Sequence, residues 1–439
     1  MNYNLLLQFS CAALLFFSVS GKSFGQKNQI DSLELTPLIS KVIETYPTIQ
    51  QAAEALNAAD LKIAMARTAY LPNAQFSGSY AHVGPVPSLT IPDVGSFSLS
   101  PTNILNSGVN INETISDFGK TKKSIAYEEK SKELSALGIG QVKQKMALAV
   151  IGCYYSMLYF QEAIAIKDNQ LLTLQEHLKN VEKKVATGSA TQFEILSTKV
   201  RISTVESQRT DIVTSLNYQN SYLNMLLGEQ FSTVHRVKNL LRSEVIPLSE
   251  DSLIATALSN RNELKIALKK MNLSQAYQDM VKQNKNPVLG AFASGGWKNG
   301  YIPKLDQLRA NYAVGLNLII PIYDATRTNL NTQLAGSAIR SNGYEIDLTR
   351  RTITNEVMES TNALRAAISK SELFDMQLSQ AKKALELADL KFKAGTLTNL
   401  DLLDSENAVA ESSLLFLKAR MERVVVIWKL KATLGINLY

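Results

Sequence analysis

Residues 392–404 read FKAGTLTNLDLLD, and residues 185–197 read VATGSATQFEILS. Both stretches contain a lone glycine, a threonine three residues after it and an acidic residue six residues after it. Glycine readily adopts the left-handed backbone conformation that ends α-helices. Gly188 and Gly395 therefore predict two similar turns, 207 residues apart in the chain, each between a helix that ends and a helix that begins.

The spacing of 207 residues extends to both sides of these turns. It pairs Gly108 with Gly315, Asp117 with Asp324 and Leu171 with Leu378. Upstream the spacing becomes 215, pairing Pro72 with Pro287, so an eight-residue insertion falls in a loop between Pro72 and Gly108. We infer an internal duplication in which each copy reads helix, β-hairpin, long helical hairpin. The first repeat is 26–228, an inter-repeat equatorial linker is 229–250, and the second repeat is 251–439.

The positions of the prolines predict long helices. The chain has 11 prolines, and none lies at 102–246 or after 321, whereas a proline inside a helix costs ~3 kcal/mol or more. We predict helices at 117–184 and 324–391, each reaching ~100 Å at ~1.5 Å per residue. After each turn apolar residues recur at steps of three and four, which predicts two antiparallel coiled-coil hairpins. Their tips, at Gly188 and Gly395, would lie at the same end of the molecule.

Short stretches of two-residue alternation predict a small β part. We place β-hairpins at 74–115 and 288–322, with connections at 83–105 and 298–310. A girdle at a membrane interface and a soluble sheet that caps a helical domain both fit the aromatic residues Tyr80, Trp297, Tyr301 and Tyr312. Four strands cannot close into a barrel, and open edges are not tolerated in hydrocarbon. If these strands enter a membrane, several chains must therefore share one barrel.

The N-terminus predicts export. Residues 1–25 combine an apolar run with small residues before Gln26, which is typical of a cleaved signal peptide, and Cys11 lies in a poor lipobox. The mature chain keeps one cysteine, Cys153, so it has no internal disulfide. Its longest uncharged stretch, 146–161, is too short for a transmembrane helix, so the exported chain is either soluble or embedded as a β-barrel.

Several function classes are disfavoured. The formal net charge of +7 is spread along the chain without a basic cluster interleaved with aromatic residues, so nucleic-acid binding is not expected. The histidines His82, His177 and His235 lie on unrelated elements, and no spacing typical of a metal site emerges. No nucleophile elbow or phosphate-binding loop occurs. We therefore expect no enzyme activity, cofactor or metal.

The two copies, the stretch AGTLTNLDLLDSEN at 394–407 and the pattern GxNxxxPIYD at Gly315–Asp324 resemble the TolC family of outer-membrane efflux proteins, also called outer membrane factors. The resemblance implies a mainly α protein with a small β part. Three copies would form a homotrimer with a 12-stranded barrel in the lipid of a Gram-negative outer membrane and a coiled-coil tunnel across the periplasm. It also implies a periplasmic adaptor as partner, linked to an inner-membrane transporter, and the outward passage of small molecules or proteins.

The resemblance assigns roles to residues near the two tips. Asp401 and Asp404 match an acidic ring at the entrance, although both also suit the first turn of a helix through its dipole; Glu194 takes an acceptor position beside them. Where some members lock the entrance with a tyrosine and an arginine, this chain has Phe392 and Leu397, which predicts a different control of opening. The tip residues expected to dock the adaptor are Val185, Gly188, Thr191, Phe392, Gly395, Leu397 and Thr398. A simpler role for the glycines, as helix C-caps, holds in either case.

An exported helical scaffold or tether without channel activity is the alternative function. It accounts for the signal peptide and the long helices, but it gives no purpose to the two hairpin pairs.

Overall fold

The computed structural model describes residues 32–239 and 249–439. The predicted signal peptide, Cys11 and residues 240–248 of the predicted linker lie outside the described residues. The helices are α1 Leu35–Thr45, α2 Pro47–Arg67, α3 Lys120–Ala186, α4 Gln192–Leu227, α5 Glu250–Asn260, α6 Asn262–Lys282, α7 Arg327–Lys393 and α8 Asn399–Thr433. The strands are β1 Ser32–Leu33, β2 Asn73–His82, β3 Ser88–Ile91, β4 Gly95–Ser98, β5 Asn103–Ser116, β6 Arg236–Val237, β7 Val288–Lys298 and β8 Arg309–Ile319.

The proline-free stretches form two long helical hairpins, α3 with α4 and α7 with α8. Helices α3 and α7 have 67 residues each, about 100 Å at 1.5 Å per residue. The turns lie at the two glycines that the sequence singled out, since Gly188 and Gly395 have φ values of 75° and 76°. In each turn the glycine N–H bonds the carbonyl three residues earlier, at 3.0 and 3.1 Å.

Each copy begins with two helices rather than with one. In the first copy α1 ends before Pro47, which takes the first position of α2, where its missing N–H breaks no helical bond. In the second copy the break between α5 and α6 lies at Arg261, whose ψ of 126° is extended. The second copy therefore also has a helix break, although it lacks the proline. This break was not predicted from the sequence.

Apolar residues of α3 form the centre of the helical core. In this core α3 packs against α1, α4 and α8 through the buried side chains Val42, Val150, Ile151, Tyr154, Met157, Leu158, Leu223 and Met421. One 18-residue window of α3 is long and apolar enough to cross a membrane. Such a window was not predicted from the sequence, because the longest uncharged run, 146–161, is shorter than a membrane-spanning helix. Since this run packs against three other helices, its apolar character serves the core of the bundle.

A four-stranded antiparallel sheet continues from the helices in the order β2-β5-β7-β8. Its register places hydroxyl and amide side chains on one face, including Asn73, Gln75, Ser77, Asn106, Asn110, Asn112, Ser294, Asn311 and Asn317. The other face carries large apolar side chains, all of them exposed: Phe76, Tyr80, Val109, Ile111, Trp297, Tyr312, Val314, Leu316 and Leu318. The sheet thus has one polar face and one bare apolar face.

The predicted connections are partly wrong. Strand β5 begins at Asn103 and strand β8 at Arg309, inside stretches assigned to loops, because the ladders with β2 and β7 continue that far. The connection 83–105 also contains the hairpin β3–β4, which forms a separate two-stranded sheet. A third small sheet joins β1 and β6 in parallel.

Equivalent aspartates cap the long helices where strands become helices. The Asp117 carboxylate accepts from Thr121 N at 2.6 Å, and the Asp324 carboxylate accepts from Thr328 N at 2.9 Å. Between each aspartate and its helix the backbone is left-handed over two residues. These are Phe118 and Gly119 in the first copy, and Ala325 and Thr326 in the second. The second copy therefore holds a β-branched residue, at φ 62°, where the first has glycine.

We expect Thr326→Gly to raise the free energy of unfolding by about 1 kcal/mol, because a left-handed conformation costs an L-residue about 1–2 kcal/mol and glycine adopts it freely. The matched change, Gly119→Thr, should lower it by about the same amount. Denaturant unfolding followed by circular dichroism measures both. If neither variant shifts the midpoint, the left-handed junction does not limit stability.

Candidate functional site at the helical tips

The two tips lie side by side and enclose a cleft of about 390 Å³. It is lined by residues of both tips: Lys184, Ser189, Thr191, Phe193, Glu194, Ser197, Phe392, Gly395, Leu397, Thr398, Asn399 and Leu400. Most of the predicted docking residues are thus brought together. Val185, in the last turn of α3, and Gly188, in the turn that follows, do not line the cleft.

The recurring glycine, threonine and acid form a C-cap followed by a capping box. In the second tip, Asp401 N donates to Thr398 Oγ1 at 3.2 Å, and Thr398 N and Oγ1 donate to the Asp401 carboxylate. In the first tip, Thr191 and Glu194 form the same box. This reciprocal arrangement satisfies two orphan donors of a helix N-terminus. Asp401 and Glu194, two of the acidic residues predicted at the entrance, therefore also cap the N-termini of α8 and α4.

Asp404 joins the two hairpins. Its carboxylate accepts from Arg201 Nη2 on α4 at 2.6 Å. The i, i+3 spacing of Asp401 and Asp404 was recognised in the sequence, but Arg201 was not. No pattern could have found it, because the residue at the matching position of the second repeat is Ala408. Within one chain, the two acids of the predicted ring bond to Thr398 and Arg201 respectively.

Phe392 also reaches the first hairpin, although it has no hydroxyl group. Its ring lies 5.6 Å from the His177 ring, and Lys184 Nζ lies 4.2 Å from its centroid. His177 is buried and shares a hydrogen bond with Asn399 Oδ1 at the start of α8. A cation–π contact and a histidine–amide bond thus connect the tips. The absence of a tyrosine at this position is visible in the sequence, whereas the contacts of His177 and Lys184 with the second tip are not.

Above the tips, a polar layer crosses the bundle. The buried Lys167 ammonium donates to Gln170 Oε1 at 3.0 Å and to Gln208 Oε1 at 2.8 Å, and Gln170 reaches Asn407 on α8. Burial lowers the pKa of Lys167, while Glu411 acts in the opposite direction. A buried polar layer of this kind favours one register of α3, α4 and α8, since any shift would leave its groups unpaired.

A family profile described as outer membrane efflux protein matches residues 38–229 and 253–435, which together make up most of the chain. The chain belongs to this family. As an outer membrane efflux protein it resides in the outer membrane and serves as an exit duct for efflux or secretion.

Individual relatives agree with this placement. The chain is 19% identical to the outer membrane protein TolC of Vibrio cholerae over 409 residues, or 91% of this chain and 90% of TolC. It is 23% identical to the alkaline protease secretion protein AprF of Pseudomonas aeruginosa, over 67% of this chain and 62% of AprF. These relatives are described as membrane and secretion proteins.

Solved structures share the fold of this outer membrane efflux protein. The outer membrane protein VceC of Vibrio cholerae superimposes with a TM-score of 0.74 at 15% identity, covering 92% of this chain and 97% of VceC. CusC superimposes with a TM-score of 0.76 at 16% identity, covering 93% of both chains. The predicted fold class, long duplicated helical hairpins with a small β part, is confirmed. Among residues 32–239 and 249–439, no cluster of histidine, cysteine and acidic residues could hold a metal ion.

Arg201→Glu should separate the hairpins of this outer membrane efflux protein, because it places a second carboxylate beside Asp404. We expect a higher single-channel conductance in planar bilayers. The double exchange Arg201→Glu with Asp404→Arg restores opposite charges and should return the conductance to the wild-type value. An unchanged conductance in the single variant would show that this ion pair does not hold the tips together.

Glu406 on α8 should make stability pH-dependent. Burial, together with the nearby Asp389 on α7, raises its pKa to about 7, and its Oε2 atom has no hydrogen-bond partner; Asp389 is itself paired with Lys393. A raised carboxyl pKa favours folding below the unfolded value of 4.5. This stability is lost as pH rises toward 7, by at most about 3 kcal/mol.

The measurement is the melting temperature between pH 4 and 8. We expect it to fall with pH in the wild type, to fall less in Asp389→Asn and to stay nearly level in Glu406→Gln. Equal slopes in the wild type and Glu406→Gln would assign the pH dependence to other groups.

Proposed function

We propose that three copies of this chain form one duct, with a shared barrel in the outer membrane and a shared helical tunnel in the periplasm. The observation that carries the proposal is the four-stranded sheet with one apolar face. Strands β2 and β8 each pair on one side only, and their free N–H and C=O groups cannot face hydrocarbon unpaired. The edge β2 of one copy would therefore pair with β8 of the next.

The width of the barrel argues against two copies, and the family resemblance gives the number three. Two copies would give eight strands, and a barrel of that size is filled by its own side chains. Three copies give twelve strands and leave a lumen lined by the polar face. Strand β8 has 11 residues, and a tilt of ~45° makes it about 25 Å tall, which is the height of the apolar band in membrane barrels.

Aromatic side chains border this apolar face at both ends. Tyr80 and Trp297 lie toward the loop end, near the Tyr301 connection, and all three are exposed. Tyr70, Phe118 and Tyr323 are exposed at the end where the helices begin. Aromatic girdles at both lipid interfaces are typical of membrane barrels. If Tyr80, Trp297 and Tyr301 form one such girdle, the residues at the helical end form its counterpart, which was not predicted from the sequence.

Exposed apolar stripes on the helices also favour packing against neighbouring copies. One stripe on α4 consists of Phe193, Leu196 and Val200, and one on α7 consists of Leu373, Met376, Leu387 and Leu390. Steps of three and four along a helix mark coiled-coil seams. Since both stripes are bare within one chain, α4 of one copy would pack against α7 of the next.

We assign the tips to a periplasmic adaptor that connects the duct to an inner-membrane transporter. The docking residues are Val185, Gly188, Thr191, Phe392, Gly395, Leu397 and Thr398, and the entrance is ringed by Asp401, Asp404 and Glu194. Related proteins are named for different tasks, secretion of alkaline protease and resistance to cobalt, zinc and cadmium. Cargo selection is therefore assigned to the transporter, and no catalytic activity is assigned to this chain.

The test is the mass and conductance of the protein extracted from outer membranes. Multi-angle light scattering in detergent should give three chains per particle, and planar bilayers should show discrete channels. A folded single chain in detergent without conductance would contradict the duct and favour an exported helical scaffold.

Two neighbouring substitutions in β8 sharpen this test. Val314 lies on the apolar face and Ala313 on the polar face. Val314→Lys places a charge toward lipid, which costs about 2–4 kcal/mol near the bilayer midplane, so it should reduce the membrane-inserted fraction. Ala313→Lys should insert normally and alter the conductance. Equal insertion of both variants would argue against lipid contact of the apolar face.

A further inference from the structure

The hairpin β3–β4 projects beyond the sheet at the end away from the helices. It continues the β2–β5 ladder: Val83 N bonds Thr102 O at 2.8 Å, and Leu99 N bonds Pro87 O at 2.9 Å. Between these two bonds the register shifts by one residue, since Val83 faces Thr102 and Ser88 faces Ser98. The hairpin is therefore a separate unit carried on the edge strand β2.

The hairpin has two faces of different chemistry. Leu89 pairs with Phe97, and Ile91 follows two residues later on the same face. The opposite face carries only hydroxyl groups: Ser88, Thr90, Ser96 and Ser98. On the apolar side, Leu89 is 50% exposed and Phe97 49% exposed, and Val94 at the turn is 64% exposed. Because an isolated two-stranded hairpin is only marginally stable in water, this face needs a partner.

The charges of the hairpin argue against lipid as that partner. Asp93 is the only charged residue in the stretch 83–102. Amphipathic helices that lie in a membrane interface typically carry lysine and arginine for anionic headgroups, and tryptophan on the apolar face; this hairpin has none of these residues. The connection between β7 and β8 differs, since Lys304 and Asp306 lie within it and Lys298 and Arg309 at its ends. An uncharged, amphipathic surface instead suits contact with identical surfaces.

We propose that the apolar face of β3–β4 packs against the same hairpin of the two other copies, so that three hairpins meet over the outer mouth of the duct. The proposal rests on the trimer argued above. In that trimer β2 lies at the boundary between copies, and the threefold axis repeats the hairpin around the mouth. Burial of these side chains then supplies the stability that a lone hairpin lacks.

The dimensions permit this contact. Twelve strands spaced ~4.8 Å apart and tilted ~40° close a barrel of about 12 Å radius to the strand axes. The extended stretch 84–91 spans up to ~26 Å, so it reaches from the rim to the axis. The connection between β7 and β8 has 10 residues, 299–308. Half of it would span about 16 Å if fully extended, but its own hydrogen bonds fold it back. Gly300 N, for example, bonds Leu305 O at 2.7 Å.

The experiment introduces one cysteine at the hairpin turn, Val94→Cys, in the mature protein purified from outer membranes. Cys153 is buried, and burial raises the pKa of its thiol to about 12, so it does not compete. Mild oxidation should link two of the three chains of each particle into a disulfide dimer on a non-reducing gel. The matched control Asp306→Cys, exposed in the other connection, should remain monomeric on the gel.

Light scattering of the same samples separates the possible outcomes. A linked dimer within a particle of unchanged trimeric mass supports the hairpin contact. An intact trimer in which Val94→Cys stays unlinked, and reacts with a bulky maleimide as fast as Asp306→Cys does, overturns this inference but leaves the duct standing. A particle mass that doubles on oxidation assigns the contact to separate ducts and also overturns it. A protein that is not trimeric before oxidation overturns both proposals.

The double variant Leu89→Ser with Phe97→Ser provides a second measurement, since it removes the apolar contact and keeps the backbone pairing. Single-channel conductance or open probability should increase relative to wild type. Unchanged values in a trimer of normal mass would show that the hairpins do not restrict the mouth.

Discussion

The pairing of strand edges is the constraint on which the rest of the structure depends. Within one chain, β2 and β8 have no second neighbour, and the sheet between them exposes an apolar face of ten or so large side chains. In water this face would aggregate, and in lipid the edges would leave backbone groups unbonded. Closing the sheet with other copies resolves both problems at once. Membrane insertion and oligomerisation are therefore two aspects of one requirement.

The tips follow a different principle, because there short local motifs and long-range contacts use the same residues. The Thr398–Asp401 capping box begins α8, and the Asp404 pair with Arg201 fixes that helix to the first hairpin. Since α8 begins only two residues before Asp401, the backbone of the turn and the position of its charges cannot change independently. If the tips form the proposed entrance, we expect it to open by movement of whole helices rather than by rotation of single side chains.

The sequence predicted what is local and missed what joins distant segments. Gly188 and Gly395 were recognisable because a helix end needs a particular backbone conformation, and the proline-free stretches were recognisable because proline breaks helices. The partners of Asp404 and Asn399 are Arg201 and His177, 203 and 222 positions away, and no periodicity encodes such pairs. The hairpin β3–β4 was missed because prolines surround its short strands. Strand ends at Asn103 and Arg309 were missed because pairing with a neighbour, rather than propensity, extends them.

The two hairpins that the duplication produced contact each other on one side only within a chain. At the tips the two hairpins meet mainly through α8, where His177 bonds Asn399, Arg201 pairs with Asp404, and Leu174 and Val205 pack against Leu403; Phe392 at the end of α7 adds a contact with His177. Since α3 packs against α8 far more than α4 does, the helices lie in the order α4, α3, α8, α7. In a closed ring of six hairpins, each hairpin needs two neighbours, but one chain supplies only one such contact. In the proposed ring, the bare stripes on α4 and α7 would form this missing contact between one copy and the next. The helical part would then need the same number of chains, in the same circular order, as the edges of the sheet.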